Sequence, residues 1–202
     1  PGYPAASPSV VAVGGTVIYA NQAAGQPTTR TLEYAWPFTG GGQSFFLKAP
    51  AYQQGTTNLN RPCLSDQDGS TAATGQLCRG IPDVAALSGD VATSGYTVYT
   101  DGAICDGCGG GTSLSSPLWA GMWARIQSVS PAGAGGDGYA NEALYRLGHD
   151  PTTAARDFFD VTVGANGLYV AQPGWDYVSG FGAPKVAGLI KDIGPLARRR
   201  AP

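Results

Sequence analysis

The chain is 202 residues long and nearly balanced in charge, with 12 Lys and Arg against 14 Asp and Glu. That length suits one domain, at about 100–200 residues per domain, and it is enough to bury a sizeable core. A formal net charge of −2 leaves no electrostatic footprint for nucleic acid, and no apolar stretch is long enough to span a bilayer.

The opening residues, PGYPAASPSV, carry neither an initiating Met nor a basic leader, so the chain reads as processed or cut from something longer. SPSVVAVGGT predicts a buried strand ended by two glycines, and TRTLEYAW a second strand with more exposed positions. IPDVAAL predicts another buried strand, since short apolar runs between turn residues suit a sheet covered on both faces. GYTVYTDG predicts a hairpin arm turning at Asp101-Gly102. Helical patterns occupy residues 114–129, 140–148 and 183–192. The last is amphipathic, with Gly194-Pro195 as its stop and the basic run Arg198-Arg199-Arg200 as a solvated tail. Strands alternating with helices predict an α/β fold with a mostly parallel sheet, and the absence of repeats or a linker predicts one domain.

Four cysteines constrain the loops. Cys63 and Cys78 bracket the polar stretch LSDQDGSTAATGQL, and Cys105 and Cys108 form a CDGC hairpin before a glycine run. A zinc site is the alternative, but only the second pair has ligand-like spacing and no histidine lies near it. A redox CxxC normally starts a helix after a strand, whereas glycines follow this one. Two local disulfides, Cys63–Cys78 and Cys105–Cys108, are the simplest pairing, and they favour an oxidising compartment.

The segment GGGTSLSSPLWAGMWARI, residues 109 to 126, poses the functional question. It is apolar around its whole circumference, which predicts a helix buried on nearly all sides, and Pro117 falls in the first turn, where a missing N–H is tolerated. Ser113 stands at its head, beside free backbone donors and the positive end of the helix dipole, an environment that stabilises an acyl-transfer oxyanion. The same position suits a plain N-cap serine.

GGTSLSSPLWAG resembles the nucleophile motif of the sedolisins, the serine-carboxyl peptidases, and more distantly that of the subtilisins. Further segments match in order: YPAASPSVVAVGGT, TGGGQSFFLKAPAYQQ, RGIPDVAAL, and FFDVTVGANG followed by PGWDYVSGFGAP. The match spans almost the whole chain apart from the cysteine loop and the Arg-rich tail.

That resemblance implies a subtilisin-like α/β fold, of which residues 1–202 form the C-terminal part of the catalytic domain, with Ser113 as nucleophile. Sedolisins use a Glu base, an Asp that orients it and an oxyanion-hole Asp, all upstream of the segment at which this chain begins. Their roles are not transferred to Glu33, Asp83 or Asp101. An ionised carboxylate base together with a protonated oxyanion-hole carboxyl suits acidic pH and needs no histidine. His149 is therefore read as a helix-end residue facing the dipole.

The resemblance also implies one Ca²⁺, bound by the side chains of Asp160 and Asp176 and the carbonyls of Val161, Gln172 and Gly174, where hard oxygen donors meet bent backbone. Gly40, Gly41, Gly42 and Ser44 are implied as part of a substrate cleft, the alternative being a surface loop. Asp83 is expected to pair with Arg79 or with buried backbone. Trp36, Trp119, Trp123 and Trp175 are expected to be packing residues.

The expected function is that of a secreted or periplasmic serine endopeptidase made from a zymogen with an N-terminal prosegment. It would act on protein or peptide substrates once joined to an N-terminal segment or chain of the same precursor. The competing expectation is a non-catalytic, calcium-stabilised fragment or binding module. A His-dependent hydrolase is a third.

Overall fold

A computed structural model describes residues 1–21, 23–92, 95–129 and 139–198. Strand β1 (Val13–Asn21) lies at the centre of a three-stranded sheet. On one side it pairs antiparallel with β2 (Thr29–Ala35), and on the other parallel with β5 (Val84–Leu87), in the register Val13↔Val84 to Thr16↔Leu87. Two-stranded antiparallel pairs follow: β3 (Gly42–Lys48) with β4 (Cys78–Ile81), and β6 (Tyr96–Thr100) with β7 (Ala103–Gly109). The third is β8 (Phe158–Phe159) with β9 (Ala183–Pro184). Four α-helices lie among the described residues: α1 (Thr112–Ser128), α2 (Ala140–His149), α3 (Pro151–Asp157) and α4 (Val186–Arg198).

Several sequence expectations need correction. Among the strands of the described residues only β1 and β5 pair in parallel, with one further parallel bridge from Ala35 to Gly164, so a mostly parallel sheet is not seen in them. Gly14 and Gly15 do not end the first strand but lie inside it, because the strand is crossed closely there. A Cβ on Gly14 would stand 2.9 Å from the Val178 carbonyl, and one on Gly15 would stand 2.8 Å from Ser88 Cβ. Cys105 and Cys108 are bridged, but they sit on β7 rather than at a hairpin tip. The register passes from Val98↔Cys105 to Tyr96↔Gly109, so the excess residues between the two cysteines bulge out. The hairpin turns at Asp101-Gly102 as expected, both with positive φ, and Cys63 is bridged to Cys78. Helix α4 runs on through Gly194-Pro195, and Arg199 and Arg200 lie outside the described residues. Helix α3 was not anticipated: the Asp150 side chain accepts from the Thr152 and Thr153 N–H groups, and Pro151 supplies the first helical position.

The core gathers Leu144 and Tyr145 of α2, Leu189 and Ile193 of α4, Ile126 of α1, Val84 of β5, and Trp175 and Phe181 from the loop between β8 and β9. A polar knot runs through it. Asp83 Oδ1 accepts from Arg79 Nη1 at 2.6 Å and from the Tyr145 hydroxyl at 2.8 Å. Asp83 Oδ2 accepts from Arg79 Nη2 and the Ala12 N–H, both at 2.7 Å, and from Asn141 Nδ2 at 3.3 Å. Both members of the ion pair are fully buried, as expected for Asp83 from the sequence. Burial by itself would make Arg79 a weaker base, yet the Asp83 carboxylate holds its pKa above the ordinary arginine value.

A second carboxylate cluster joins α3 to α4. The buried Asp157 faces Asp192 within hydrogen-bonding reach, and the one guanidinium beside them, Arg156, pairs with Asp192 and lies 3.5 Å from Asp157. Burial, reinforced by the Asp192 carboxyl and only partly offset by Arg156, pushes Asp157 up to about 7 from an ordinary value near 3.8. The folded chain therefore holds a proton that the unfolded chain has lost, and stability falls as pH rises from about 4 to about 7, then levels off. Asp157→Asn should flatten that part of the profile, measured as the urea midpoint at pH 4, 5.5 and 7.5. An unchanged slope in the variant would remove Asp157 as its source.

Candidate active site

Ser113 lies in the first turn of α1, exposed, and its hydroxyl makes no hydrogen bond to the described residues. It is not the N-cap. That position belongs to Gly111, at φ 123° and ψ 161°, and no side chain caps the helix. The N–H groups of Thr112 and Ser113 thus have no intrahelical acceptor and stand open at the positive end of the dipole.

The helix is set against the sheet by its own side chains. Ser115 Oγ donates to the Ala86 and Leu87 carbonyls at 3.0 and 3.1 Å, and Trp119 Nε1 donates to the Ala85 carbonyl at 2.8 Å. Gly111 N–H donates to the Ser88 carbonyl at 2.9 Å, which fixes the loop just before Ser113. The expectation of a helix buried on nearly all sides is not met. Ser115, Trp119 and Ile126 are buried, whereas Pro117, Leu118, Ala120, Gly121 and Ala124 are exposed. Beside this uncovered face runs an apolar groove of about 200 Å³, lined by Val11, Val13, Trp119, Trp123, Ala140 and Leu144 among others. The remaining tryptophans divide between the core, where Trp175 is almost wholly enclosed, and a half-buried Trp36.

No titratable base reaches Ser113 from within the described residues. His149 ends α2, where its Nε2 pairs with Thr56 Oγ1 at 2.8 Å and burial lowers its pKa. Glu33 is buried on β2, accepting from Thr16 Oγ1 at 2.6 Å and pairing with Arg30 at 2.8 Å. Because Gly15 faces Thr112 and successive strand residues alternate sides, Thr16 and its Glu33 partner lie on the face of β1 away from α1. Asp83 is committed to Arg79, and Asp101 sits in the hairpin turn.

The glycine stretch after β2 divides in two. Gly40 is open, with nothing near its Cβ position, whereas Gly41 abuts the Tyr177 carbonyl and Gly42 the Tyr169 ring. Ser44 is buried and accepts from the Leu47 N–H at 3.0 Å. Nearer to Ser113 is Trp36, which the sequence marked only as a packing residue. Its indole lies 3.9 Å from the Cβ position of Gly111. Nothing in the spacing of the sequence signalled that proximity.

Asp160 and Asp176 both grip the loop between them. Asp160 Oδ2 accepts from the Gly174 N–H and Asp176 Oδ2 from the Gln172 N–H, each at 2.8 Å. The buried Asp176 also accepts from the Val178 and Ser179 N–H groups at 2.8 and 2.7 Å. Ser179 Oγ, unremarked in the sequence, bridges Asp176 to the Val161 carbonyl. Neither aspartate has a Lys or Arg ion-pair partner among the described residues. No cluster of three or more His, Cys, Asp or Glu forms there, so an ion at this loop would rest on two carboxylates and backbone oxygens.

No family model matches the chain. Kumamolisin from Bacillus sp. (strain MN-32) is 35% identical over 209 residues, covering 99% of this chain and 34% of its own length. Sedolisin from Pseudomonas sp. (strain 101) is 32% identical over 200 residues, covering 93% of this chain and 29% of its own length. The solved structure of Pseudomonas sedolisin, a serine-carboxyl proteinase, superposes with a TM-score of 0.69 at 29% identity, over 98% of this chain and 48% of that one. The chain belongs to the sedolisin family.

It spans about a third of the length of these sedolisin-family relatives, and about half of the solved sedolisin chain. Human tripeptidyl-peptidase 1 aligns over 96% of the chain at 30% identity, with the match covering 33% of that protein. In this family setting Gly111 becomes a sensitive position. Its conformation is open to glycine alone, and an added Cβ would meet nothing closer than 3.9 Å, so the penalty is in the backbone. Gly111→Ala should lower stability by about 1–3 kcal/mol in a chemical denaturation series. Full retention of stability would show that the loop before Ser113 adapts.

Proposed function

We propose that this chain is the nucleophile-bearing part of a serine-carboxyl peptidase that hydrolyses peptide bonds through an acyl-enzyme on Ser113. The observation that carries the reading is an exposed serine hydroxyl with no hydrogen bond among the described residues, at an uncapped helix N-terminus, in a segment that resembles the sedolisin nucleophile motif. Ser113 Oγ attacks the scissile carbonyl and yields its proton to a carboxylate base. The free N–H groups at the helix head favour the negative charge that develops on the carbonyl oxygen. Collapse breaks the C–N bond, the amine leaves with a proton, and water then hydrolyses the ester. The base and the oxyanion-hole carboxyl come from an N-terminal segment or chain of the same precursor. The uncovered face of α1 and its adjoining groove support a docking place for that segment. Gly40 is the member of the glycine stretch best placed to line the cleft.

We propose that the loop at Asp160 and Asp176 holds a structural Ca²⁺. The donors are hard oxygens, the buried Asp176 has no cation beside it, and Asp160 Oδ1 is free of hydrogen bonds. Asp160, Asp176 and the Val161, Gln172 and Gly174 carbonyls would hold the ion, which would fix the loop and neutralise its carboxylates. Calcium should then add about 2.7 kcal/mol of stability at a hundredfold excess over Kd, seen as a raised melting temperature that a chelator reverses. A melting curve indifferent to calcium would remove the site. The paired disulfides accord with secretion into an oxidising compartment.

The direct test is acid-pH hydrolysis of a peptide library by the enzyme assembled from this chain and its N-terminal segment. Cleavage should fall at least ~10³-fold in Ser113→Ala, and the product pattern should separate endopeptidase from tripeptidyl-peptidase action. Cleavage that survives in the variant would discard Ser113 as the nucleophile, and no cleavage by the wild-type assembly would favour a calcium-stabilised, non-catalytic module.

A further inference from the structure

The turn between β2 and β3 carries two aromatic side chains that packing alone does not account for. Trp36 N–H donates to the Gly15 carbonyl at 2.9 Å, Thr39 N–H closes the turn on the Trp36 carbonyl at 3.0 Å, and Gly15 N–H donates to Thr39 Oγ1 at 2.8 Å. Both ends of a four-residue turn are thus fastened to one residue of the central strand. The other side of Gly15 meets the nucleophile helix, where a Cβ would lie 3.2 Å from Thr112 Cγ2. The turn and the head of α1 share a rigid mount.

On that mount the Trp36 indole faces the Gly111 position, where an added Cβ would lie 3.9 Å from it two residues before Ser113, while Phe38 packs edge-on against the indole with ring centroids 5.5 Å apart. Phe38 is nevertheless 76% exposed. Residues 36–44, WPFTGGGQS, contain no charged group, so a charged side chain placed there would find no partner on this turn. Glu33 and Arg30 are paired with one another, and Glu33 lies across the sheet. The nearby Asp90 is buried and accepts from the Ala92 N–H at 2.9 Å. What the turn offers to a chain lying over Ser113 is a fixed aromatic surface.

We propose that Trp36 and Phe38 determine specificity: they form a wall for the substrate side chain flanking the scissile bond and favour an aromatic or large aliphatic group there. The inference rests on the peptidase reading above. It follows from the physics of such contacts, because a ring packed on a preformed aromatic surface gains apolar burial and favourable ring geometry at little entropic cost.

The test uses the assembled enzyme and matched peptides that differ only at one residue beside the cleaved bond, carrying Phe, Leu, Gly or Asp. The wild type should prefer Phe and Leu at one of the two flanking positions. Phe38→Ala should reduce the kcat/KM ratio of Phe over Gly about tenfold or more, in line with the 10–200-fold value of a single pocket contact. Phe38→Leu should recover most of the Leu preference. Ser113-dependent cleavage with the ratio unchanged in Phe38→Ala overturns the inference alone. So does a lowered melting temperature with an unchanged ratio, since Phe38 would then only be packed beneath the upstream segment. Cleavage that persists in Ser113→Ala overturns the peptidase reading and this inference with it.

Discussion

The buried Arg79–Asp83 pair is the interaction on which the rest of the structure depends. One carboxylate collects the guanidinium, a tyrosine hydroxyl and an asparagine amide from α2, and the N–H of Ala12 on the approach to β1. It therefore joins three stretches of chain that lie far apart in sequence, at separations of up to 71 residues. Such a pair is not stabilising merely because it exists: two charges have been taken out of water, and the attraction and hydrogen bonds offset that cost only when the geometry is complete. Loss of one partner strands the other charge, at a cost of about 3–5 kcal/mol. What the pair confers is register, since donors from β4, from α2 and from Ala12 converge on the one carboxylate of Asp83.

That register is transmitted to Ser113 over a short path. Asp83 immediately precedes β5, and the β5 carbonyls receive the donors of α1 at Ser115 and Trp119. The Ser88 carbonyl, one residue past β5, holds the Gly111 N–H. The serine is thus positioned by backbone anchors on both sides, while its hydroxyl is left without a partner of its own. A nucleophile requires that combination: a fixed location and a hydrogen bond kept in reserve for a base. The described residues contain no such base, and the apolar face of α1 beside the site is uncovered. On the proposed reading, a second stretch of chain would bury this face of the helix and supply the base.

Much of this was legible in the sequence, for identifiable reasons. The hairpin turn announced itself because Asp101-Gly102 is one of few dipeptides able to hold two positive φ angles. The Arg79–Asp83 pair was readable because a carboxylate entering an apolar run must be satisfied nearby. The strand pairings were not readable, since an apolar run states that a strand is buried but not which neighbour it takes. Gly14 and Gly15 looked like a terminator because the loops that crowd them, at Ser88 and Val178, are distant in sequence. The composition of α1 implied burial all round, which holds only for a partner-covered helix. Trp36 was read only as a packing residue, because no periodicity encodes its place beside the Gly111 position, where an added Cβ would lie 3.9 Å from the indole.

The most direct test of the central claim, that Ser113 is the nucleophile of a peptidase completed by a second segment, is active-site labelling followed by mass spectrometry. Native material is treated at acid pH with a fluorophosphonate or peptide aldehyde, with and without the N-terminal segment, and the modified peptide is then mapped. The account predicts adduct mass on the peptide containing Thr112 to Ser116, abolished in Ser113→Ala and dependent on the added segment. An unmodified Ser113 in the complete assembly, or a label on another residue that survives the substitution, would contradict it.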